Sequence, residues 1–183
     1  IKPDAGLAVR SLRQLGVRRL AMLTGDDQRI AEKVARTLGI DEVRADLLPE
    51  DKVQALEAIM EEGKRRGSPG RTAFVGDGIN DAPVLMRADV GVAMGGLGSD
   101  AAIEAADVVI MDDRPSQLAT AVSIARRTRR VVQQNIALAL GVKLFFILLG
   151  AAGIATLWEA VFADVGVSLL AILNASRVLR GGR

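Results

Sequence analysis

Short apolar runs alternate with amphipathic stretches up to about residue 111 of the chain. Apolar positions at helical spacing predict helices, and short continuous apolar runs predict buried strands. The predicted helices cover 4–15, 28–38, 50–62, 82–87 and 99–105, and the predicted strands cover 19–23, 42–45, 72–75, 90–93 and 108–111. Regular alternation of this kind is typical of a parallel sheet with crossover helices. The first part of the chain is therefore predicted to be an α/β domain.

Beyond residue 130 the sequence becomes almost continuously apolar. Two stretches, 136–155 and 160–178, meet at Thr156-Leu157-Trp158-Glu159, and each is about 20 residues long, enough to cross a bilayer core as a helix. By the positive-inside rule, arginines beyond both outer ends predict that both ends of this segment are cytoplasmic, in a multi-pass protein of the cell membrane. These arginines are Arg126, Arg127, Arg129, Arg130, Arg177, Arg180 and Arg183.

Residues 116–134 contain neither Pro nor Gly and are predicted to form one helix between the two parts. A continuous helix could carry a rotation of the α/β domain into the membrane segment, and a break near residues 126–130 would contradict that hypothesis. The predicted organisation is an α/β domain over 1–117, a connecting helix over 118–134 and two transmembrane helices over 135–180.

Composition narrows the possible chemistry. The mean hydropathy of +0.27 is high for a chain in which 25% of residues are charged, so charged and apolar residues must be segregated. The absence of Cys and His excludes disulfides and the usual thiolate or imidazole zinc ligands within this segment. A net charge of +2 and 3% aromatic residues give no support to nucleic-acid binding.

The string from Gly76 to Pro83 places two carboxylates, Asp77 and Asp81, directly behind a predicted strand. Ligands of open α/β sheets bind at the carboxyl ends of strands. Hard oxygen donors at such a point suit Mg²⁺, which usually takes one or two protein carboxylates together with phosphate oxygens. The alternative is an ordinary Gly-rich turn, in which Asp and Asn are common.

Two further segments have compatible chemistry. Thr24-Gly25-Asp26 ends another apolar strand, and its hydroxyl and backbone N–H groups could bind phosphate oxygens beside the helix that starts near Asp27. Lys52 lies at the start of the next amphipathic helix. Taken alone, the first segment would be a plain turn and Lys52 a solvated surface lysine.

Together these segments resemble the phosphorylation domain of the P-type ATPases, which belong to the haloacid dehalogenase-like superfamily. The resemblance implies that Thr24, Gly25 and Asp26 hold the transferred phosphoryl group and that Lys52 stabilises its charge. It also implies that the string containing Asp77, Gly78, Asn80 and Asp81 carries the Mg²⁺ ligands. The implied fold is a haloacid dehalogenase-like, Rossmann-like parallel sheet followed by an all-α transmembrane hairpin.

The family's nucleophile is the Asp of an Asp-Lys-Thr-Gly-Thr motif on the first strand of this domain, and that string does not occur in the chain. The chain is therefore expected to be the carboxy-terminal piece of a longer pump, inactive alone and lacking one central strand of its sheet. ATP is expected to be bound mainly by a nucleotide-binding domain outside this chain. The alternatives are a non-catalytic membrane-bound remnant or assembly subunit, and a membrane-anchored Mg²⁺-dependent phosphatase.

Lys143 and Asp164 lie well inside the two apolar stretches. Ionisable residues at this depth cost roughly 2.5–3.5 kcal/mol on insertion scales and usually face a bundle interior or a water-filled path. Counting from the predicted turn, the two residues are expected to differ in depth by about 10–12 Å, too far for a direct salt bridge between straight helices. The alternative to a functional role is a structural charge pair that locks the bundle.

The hairpin is similar to the last two membrane helices of the zinc/cadmium/lead-exporting P-type ATPases, on the strength of Asn135, Lys143, Asp164 and Gly166. The resemblance implies that Asp164 contributes to the transport site for Zn²⁺, Cd²⁺ or Pb²⁺ and that Lys143 is a counter-ion when the metal is released. The family's Cys-Pro-Cys ligands would lie on a helix outside this chain. The implied partners are membrane lipid, the rest of the same pump and the divalent metal ions.

Overall fold

The computed structural model describes residues 1–67, 70–76, 79–95 and 100–179, which form two compact units, Ile1–Thr120 and Ala121–Arg183. The helices are α1 (Ala5–Gln14), α2 (Gln28–Leu38), α3 (Pro49–Arg65), α4 (Ala82–Arg87), α5 (Asp100–Ala105), α6 (Gln117–Ala151) and α7 (Leu157–Leu179). The strands are β1 (Ala21–Leu23), β2 (Glu42–Arg44), β3 (Ala73–Gly76), β4 (Val90–Met94) and β5 (Val108–Ile110). The α/β alternation predicted from the apolar pattern is confirmed.

Local signals in the sequence fix the ends of the helices that carry the candidate site. The Asp27 side chain accepts a hydrogen bond from Arg29 N at 2.9 Å and so caps α2, which ends at Gly39 in the left-handed conformation with φ +75°. Pro49 occupies the first turn of α3, where its missing N–H costs nothing, and Asp51 accepts a bond from Leu48 N at 3.2 Å. These caps hold α3, and with it Lys52, directly after the β2 strand.

The parallel sheet is divided into two parts. β1 pairs with β2, and β3, β4 and β5 pair in that order, all in parallel. Within the described residues β1 and β3 each pair on one side only, and Val75 in the middle of β3 is 39% exposed. The division agrees with the expected absence of a central strand, because a strand between β1 and β3 would join the two parts into one sheet.

The hydrophobic core of the first unit lies on both parts of the sheet. Val84 and Leu85 of α4 are fully buried, and Val92 and Met94 of β4 form a buried cluster with Ile110 of β5. Gly91 allows α4 to approach β4 closely, because a Cβ at this position would lie 2.6 Å from the carbonyl oxygen of Leu85. The sheet therefore gives α4, and the turn that precedes it, a fixed position.

The turn between the two apolar helices lies earlier than predicted. The first apolar span was predicted to reach residue 155, but α6 ends at Ala151, so that prediction is wrong. Gly153 adopts φ +72°, and Ile154 N donates to Leu149 O at 2.9 Å, the pattern of a Schellman cap. Thr156 N donates to the Glu159 carboxylate at 2.7 Å, so the string predicted as the turn is in fact the cap of α7.

Both helices are long and apolar enough, by length and composition, to cross a membrane. α6 is also continuous through residues 126–130, where a break would have contradicted the predicted connecting helix. Within the second unit, α6 and α7 pack along a seam of buried and half-buried side chains. The seam residues are Arg127, Val131, Asn135, Val142, Phe146 and Leu149 on α6, and Ala160, Ala163, Gly166, Val167, Ala171, Asn174, Ser176 and Val178 on α7.

Candidate functional site

The loop that follows β1 is held together by the residues predicted to bind phosphate. Thr24 Oγ1 accepts a hydrogen bond from Asp26 N at 3.1 Å and donates one to Asp26 Oδ2 at 3.0 Å. A Cβ at Gly25 would lie 3.1 Å from the Leu47 carbonyl oxygen, so only a very small residue fits there without displacing that loop. The structure thus brings Thr24, Gly25 and Asp26 together in one tight, exposed turn at the carboxyl end of a strand.

The loop that follows β2 is hydrogen-bonded to the loop that follows β1. Leu47 N donates to Thr24 O at 3.1 Å and Asp46 N donates to Asp26 O at 3.0 Å. Asp46 has φ +54°, a left-handed conformation that Asp tolerates better than most residues. The loops after β1 and β2 therefore form one unit at the same edge of the sheet.

Lys52 and Asp81 form an ion pair, with 2.8 Å between Nζ and Oδ1. Their side chains are only 18% and 13% exposed, so the pair is partly shielded from water. The residues are 29 positions apart, and they meet because Lys52 lies in the first turn of α3 whereas Asp81 ends the short 3₁₀ turn Ile79–Asp81 after β3. The structure brings together a cation and a carboxylate that the sequence placed in separate segments.

The Asp81 side chain lies directly against the backbone of Gly76. A Cβ on Gly76 would lie 2.8 Å from Asp81 Cβ and 2.9 Å from Asp81 Oδ2. These distances are well below an ordinary carbon–carbon contact of about 3.5–4.0 Å. Glycine at the end of β3 is therefore a condition for the observed position of Asp81.

The helix that carries Lys52 is tied to the first part of the sheet by charged groups. Arg44 of β2 donates to Ala55 O at 3.2 Å and to the Glu62 carboxylate at 3.4 Å, and Arg19 forms an ion pair with Glu62 at 2.8 Å. The hydrogen bond from Arg19 holds the pKa of Glu62 below its usual range, and the same bond raises the pKa of Arg19. These contacts fix α3 along its length and so position Lys52 at its start.

A cavity of about 440 Å³ separates the two parts of the sheet. Leu23 of β1 lines it on one side, and Phe74 and Gly76 of β3 line it on the other, with apolar residues of α1 behind them. Lys52 and Asp81 also line this cavity. Thr24 directly follows the lining residue Leu23 in the chain, so the predicted phosphate-binding turn begins next to this cavity.

The predicted magnesium ligands are described only in part. Asp77 and Gly78 lie outside the described residues, while Asn80 is exposed in the 3₁₀ turn. Among the described residues no three Asp, Glu, His or Cys side chains gather into a metal-binding group. Asp81 nevertheless fits Mg²⁺ in its chemistry, because it presents carboxylate oxygen at the carboxyl end of β3 and Mg²⁺ needs only one or two such ligands.

In the second unit, Lys143 and Asp164 lie at the same level of the hairpin. Lys143 is eight residues before the end of α6 and Asp164 is seven residues after the start of α7, which is about 12 Å and about 10 Å from the respective helix ends. The predicted depth difference of 10–12 Å is therefore wrong, because it rested on a turn placed too late in the chain. Both side chains are exposed, and no ion pair within 4.0 Å joins them.

Sequence reasoning missed three residues that shape these sites. Gly76 was not given a role in the string from Gly76 to Pro83, although a glycine on each side of Asp77 signals a close approach of the backbone. Asp46 was not recognised, because its left-handed backbone conformation is visible only in the structure and no sequence pattern marks it. Asn174 bonds to Asn135 across the hairpin, and a polar side chain within an apolar helix was the available signal.

Comparison with known proteins identifies relatives of the whole segment. Residues 1–89 match the family described as haloacid dehalogenase-like hydrolase. The chain is 62% identical over 180 residues to a cadmium, zinc and cobalt-transporting ATPase of Bacillus subtilis (strain 168) and 58% identical over 180 residues to a zinc-transporting ATPase of Synechocystis sp.. The matches cover 98% of this chain but 25% and 24% of those proteins, so the chain spans about a quarter of the length of these curated relatives.

Solved structures agree with this result. The crystal structure of a zinc-transporting PIB-type ATPase in an E2.Pi state superposes with a TM-score of 0.88 at 40% identity, over 98% of this chain and 28% of that one. A 3-deoxy-D-manno-octulosonate 8-phosphate phosphatase from Moraxella catarrhalis matches 65% of this chain and 67% of its own with a TM-score of 0.51. At 21% identity the second likeness establishes the fold alone, in agreement with the family matched by residues 1–89.

Proposed function

We propose that this chain, which belongs to the heavy-metal-transporting P-type ATPases, is part of an ATP-driven pump for divalent Zn²⁺ or Cd²⁺. It supplies residues that bind and stabilise the phosphoryl group, together with two membrane helices. The observation that carries the proposal is the pairing of Lys52 with Asp81 at 2.8 Å on the opening between β1 and β3. Thr24 lies at the same edge of the sheet, where the carboxyl ends of parallel strands bind ligands.

In the proposed reaction a phosphoryl group passes from ATP to an Asp nucleophile that lies outside this chain. Phosphoryl transfer requires little covalent chemistry from a protein and depends on positioning and charge stabilisation. The ammonium group of Lys52 stabilises the charge on the phosphoryl oxygens, while the Thr24 hydroxyl and the backbone N–H groups of its turn bind them. Mg²⁺, held by Asp81 and Asp77 when bound, supplies further neutralisation of that charge.

Asp81 has a second task in this scheme. In the absence of a phosphoryl group its carboxylate pairs with Lys52, so the lysine is held at the opening rather than free in solvent. An entering phosphoryl group offers Lys52 several competing oxygens and leaves the Asp81 oxygens available to a metal ion. The ion pair therefore keeps both side chains close to where they act.

The metal ion is the cargo of the pump and is proposed to pass beside Asp164 on α7. A carboxylate combined with thiolates from elsewhere in the protein favours a borderline divalent ion over soft Cu(I). Lys143, level with Asp164, provides a positive charge for that carboxylate once the metal has left. The two helices are proposed to cross the cell membrane with both ends of the segment in the cytoplasm, following the phosphorylation domain (1–117) and the connecting helix (118–134).

The proposal is tested in the full-length protein that contains this chain by the variant Lys52→Ala. Removal of one group that stabilises transition-state charge typically lowers kcat by about 100- to 1,000-fold. Zinc-stimulated ATP hydrolysis by Lys52→Ala is expected to fall by that amount. The matched control is Lys64→Ala, which removes an exposed lysine paired with Glu61 on the same helix and is expected to leave hydrolysis unchanged. Undiminished hydrolysis by folded Lys52→Ala would contradict the proposal.

A further inference from the structure

Three amide side chains join α6 to α7 at the end of the hairpin opposite the turn. Asn135 Nδ2 donates to Ala171 O at 3.1 Å, and Asn174 Nδ2 donates both to Asn135 Oδ1 at 2.9 Å and to Gln134 Oε1 at 3.3 Å. Asn135 and Asn174 are half-buried in the seam between the helices. We call Gln134, Asn135 and Asn174 the amide clasp.

The pattern of donors and acceptors fixes the orientation of the amide clasp. The carbonyl oxygen of Ala171 can only accept, so Asn135 must turn its NH₂ group towards α7 and its oxygen towards Asn174. Asn174 then donates to that oxygen and accepts from Arg177 Nη1 at 3.2 Å. Arg127 Nη2 in turn donates to Arg177 O at 2.5 Å. A one-residue slip of either helix would separate these partners, because each amide has a single complementary arrangement.

The amide clasp also sets the level of the two charged residues. From Asn135 to Lys143 is eight residues, about 12 Å along α6, and from Ala171 back to Asp164 is seven residues, about 10 Å along α7. The register fixed at the clasp therefore leaves Lys143 and Asp164 level to within about 2 Å, in agreement with the count from the turn.

The charged residues also share one side of the hairpin. Lys143 follows the seam residue Val142, and Asp164 follows the seam residue Ala163. Each helix turns by about 100° per residue, so in an antiparallel pair the positions that follow facing seam residues project to the same side. A helix that slid or rotated about its axis would carry Lys143 away from Asp164.

We propose that the amide clasp is a positioning device that keeps Lys143 beside Asp164 and so limits the affinity of the transport site for zinc. The inference rests on the proposed function of these two residues. A nearby ammonium group repels Zn²⁺ and competes with it for the carboxylate. When the clasp is broken, Lys143 competes less well, and zinc is bound more tightly and released more slowly.

The test is equilibrium dialysis of zinc with the full-length protein carrying Asn174→Leu, together with the zinc dependence of ATP hydrolysis. Interhelical hydrogen bonds in membranes are worth about 0.6–1.7 kcal/mol, equivalent to about 3- to 18-fold in a binding constant. The dissociation constant and the KM for zinc are expected to fall by about that factor, and kcat is expected to fall with them. Weaker zinc binding would mean that the clasp is merely structural and would overturn the inference.

The same substitution in a Lys143→Ala background decides whether the amide clasp acts through Lys143. The effect of Asn174→Leu on zinc affinity is expected to vanish there, whereas an effect of unchanged size would overturn the positioning role. If Lys143→Ala and Asp164→Ala each leave zinc affinity unchanged, the proposed function fails and the inference falls with it. If they change the affinity and Asn174→Leu does not, the proposed function stands and only the inference is wrong.

A second variant covers the case in which Asn174→Leu does not fold. Asn174→Asp keeps the shape of the side chain and the acceptor for Arg177 but cannot donate to Asn135 or Gln134. It is expected to tighten zinc binding as Asn174→Leu does, and unaltered affinity in this variant would equally overturn the inference. Gln133→Leu is the matched control, because it removes an exposed amide from the same turn of α6 that takes no part in the clasp, and wild-type affinity is expected.

Discussion

Gly76→Ala is the substitution whose effect the structure defines most closely. The added Cβ would lie 2.8 Å from Asp81 Cβ, 2.9 Å from Asp81 Oδ2 and 3.0 Å from Phe74 Cε1. For the added Cβ and Asp81 Cβ to reach a normal carbon–carbon separation of about 3.5–4.0 Å, Asp81 must move by roughly 0.7–1.2 Å. A shift of that size away from the lysine would stretch the 2.8 Å bond between Lys52 and Asp81 beyond hydrogen-bonding distance.

Misplacement of a catalytic group by about 1 Å costs on the order of 100-fold in rate. Zinc-stimulated ATP hydrolysis by the full-length Gly76→Ala protein is therefore expected to fall by about that factor. The overpacked strand is also expected to lower the free energy of unfolding by about 1–3 kcal/mol. The assays are steady-state hydrolysis with saturating zinc and ATP, and urea unfolding of the same preparations.

Two glycine controls separate the shift of Asp81 from a loss of stability. Gly91→Ala would place a Cβ 2.6 Å from Leu85 O, so it strains the same sheet at a position where the added Cβ meets α4 and not Asp81. It is expected to destabilise the protein comparably while leaving hydrolysis at a permissive temperature much less affected. Gly63→Ala on α3 meets nothing within 4 Å and is expected to stabilise by about 0.5–1 kcal/mol without changing the rate. Wild-type hydrolysis by folded Gly76→Ala would show that the reaction does not depend on the position of Asp81 beside Lys52.

Two further predictions concern stability. Leu85 is 1% exposed between α4 and the sheet, so Leu85→Ala is expected to lower the free energy of urea unfolding by about 2–5 kcal/mol, and an effect below about 1 kcal/mol would contradict the assigned core. Hydrogen bonds from Ser116 hold the pKa of Asp4 below its usual value of 3.8, so this carboxylate stabilises the fold above that pH and loses its contribution as pH falls through the lowered value. Between pH about 5 and about 2.5, the thermal unfolding temperature of Asp4→Asn should therefore fall less than that of the wild type. Identical pH profiles would contradict the role of this contact.

Much of the fold follows from local patterns in the sequence. The helices Gln28–Leu38 and Ala82–Arg87 begin and end where predicted, because Asp27, Gly39 and the Pro83 segment are strong local signals. α3 was predicted over 50–62 but runs to Arg65, since Lys64 and Arg65 favour the carboxyl end of a helix and extend it. Each of these outcomes depends on residues within a few positions of the helix end.

Other features depend on contacts between distant residues, and the sequence alone does not contain them. Lys52 and Asp81 are 29 positions apart, and their pairing follows from the packing of α3 against the turn after β3. The late placement of the hairpin turn had a different cause, because Ile154 and Ala155 are apolar and extended the hydropathy signal past the end of α6. Gly153 and the Thr156–Glu159 cap determine the turn, and in a continuous apolar stretch these local signals outweigh mean hydropathy.

Phosphoryl transfer at Lys52 and metal passage at Asp164 are proposed to be coupled steps of one pump. The most direct test is ATP-dependent zinc uptake by inverted vesicles that contain the full-length protein, its Asp164→Ala variant and a Ser176→Ala control on the same helix. Uptake is expected from the wild type and the control, and none from Asp164→Ala, which is also expected to lose zinc-stimulated hydrolysis while it still binds ATP. Uptake by Asp164→Ala at the wild-type rate would contradict the proposed passage of the metal beside Asp164.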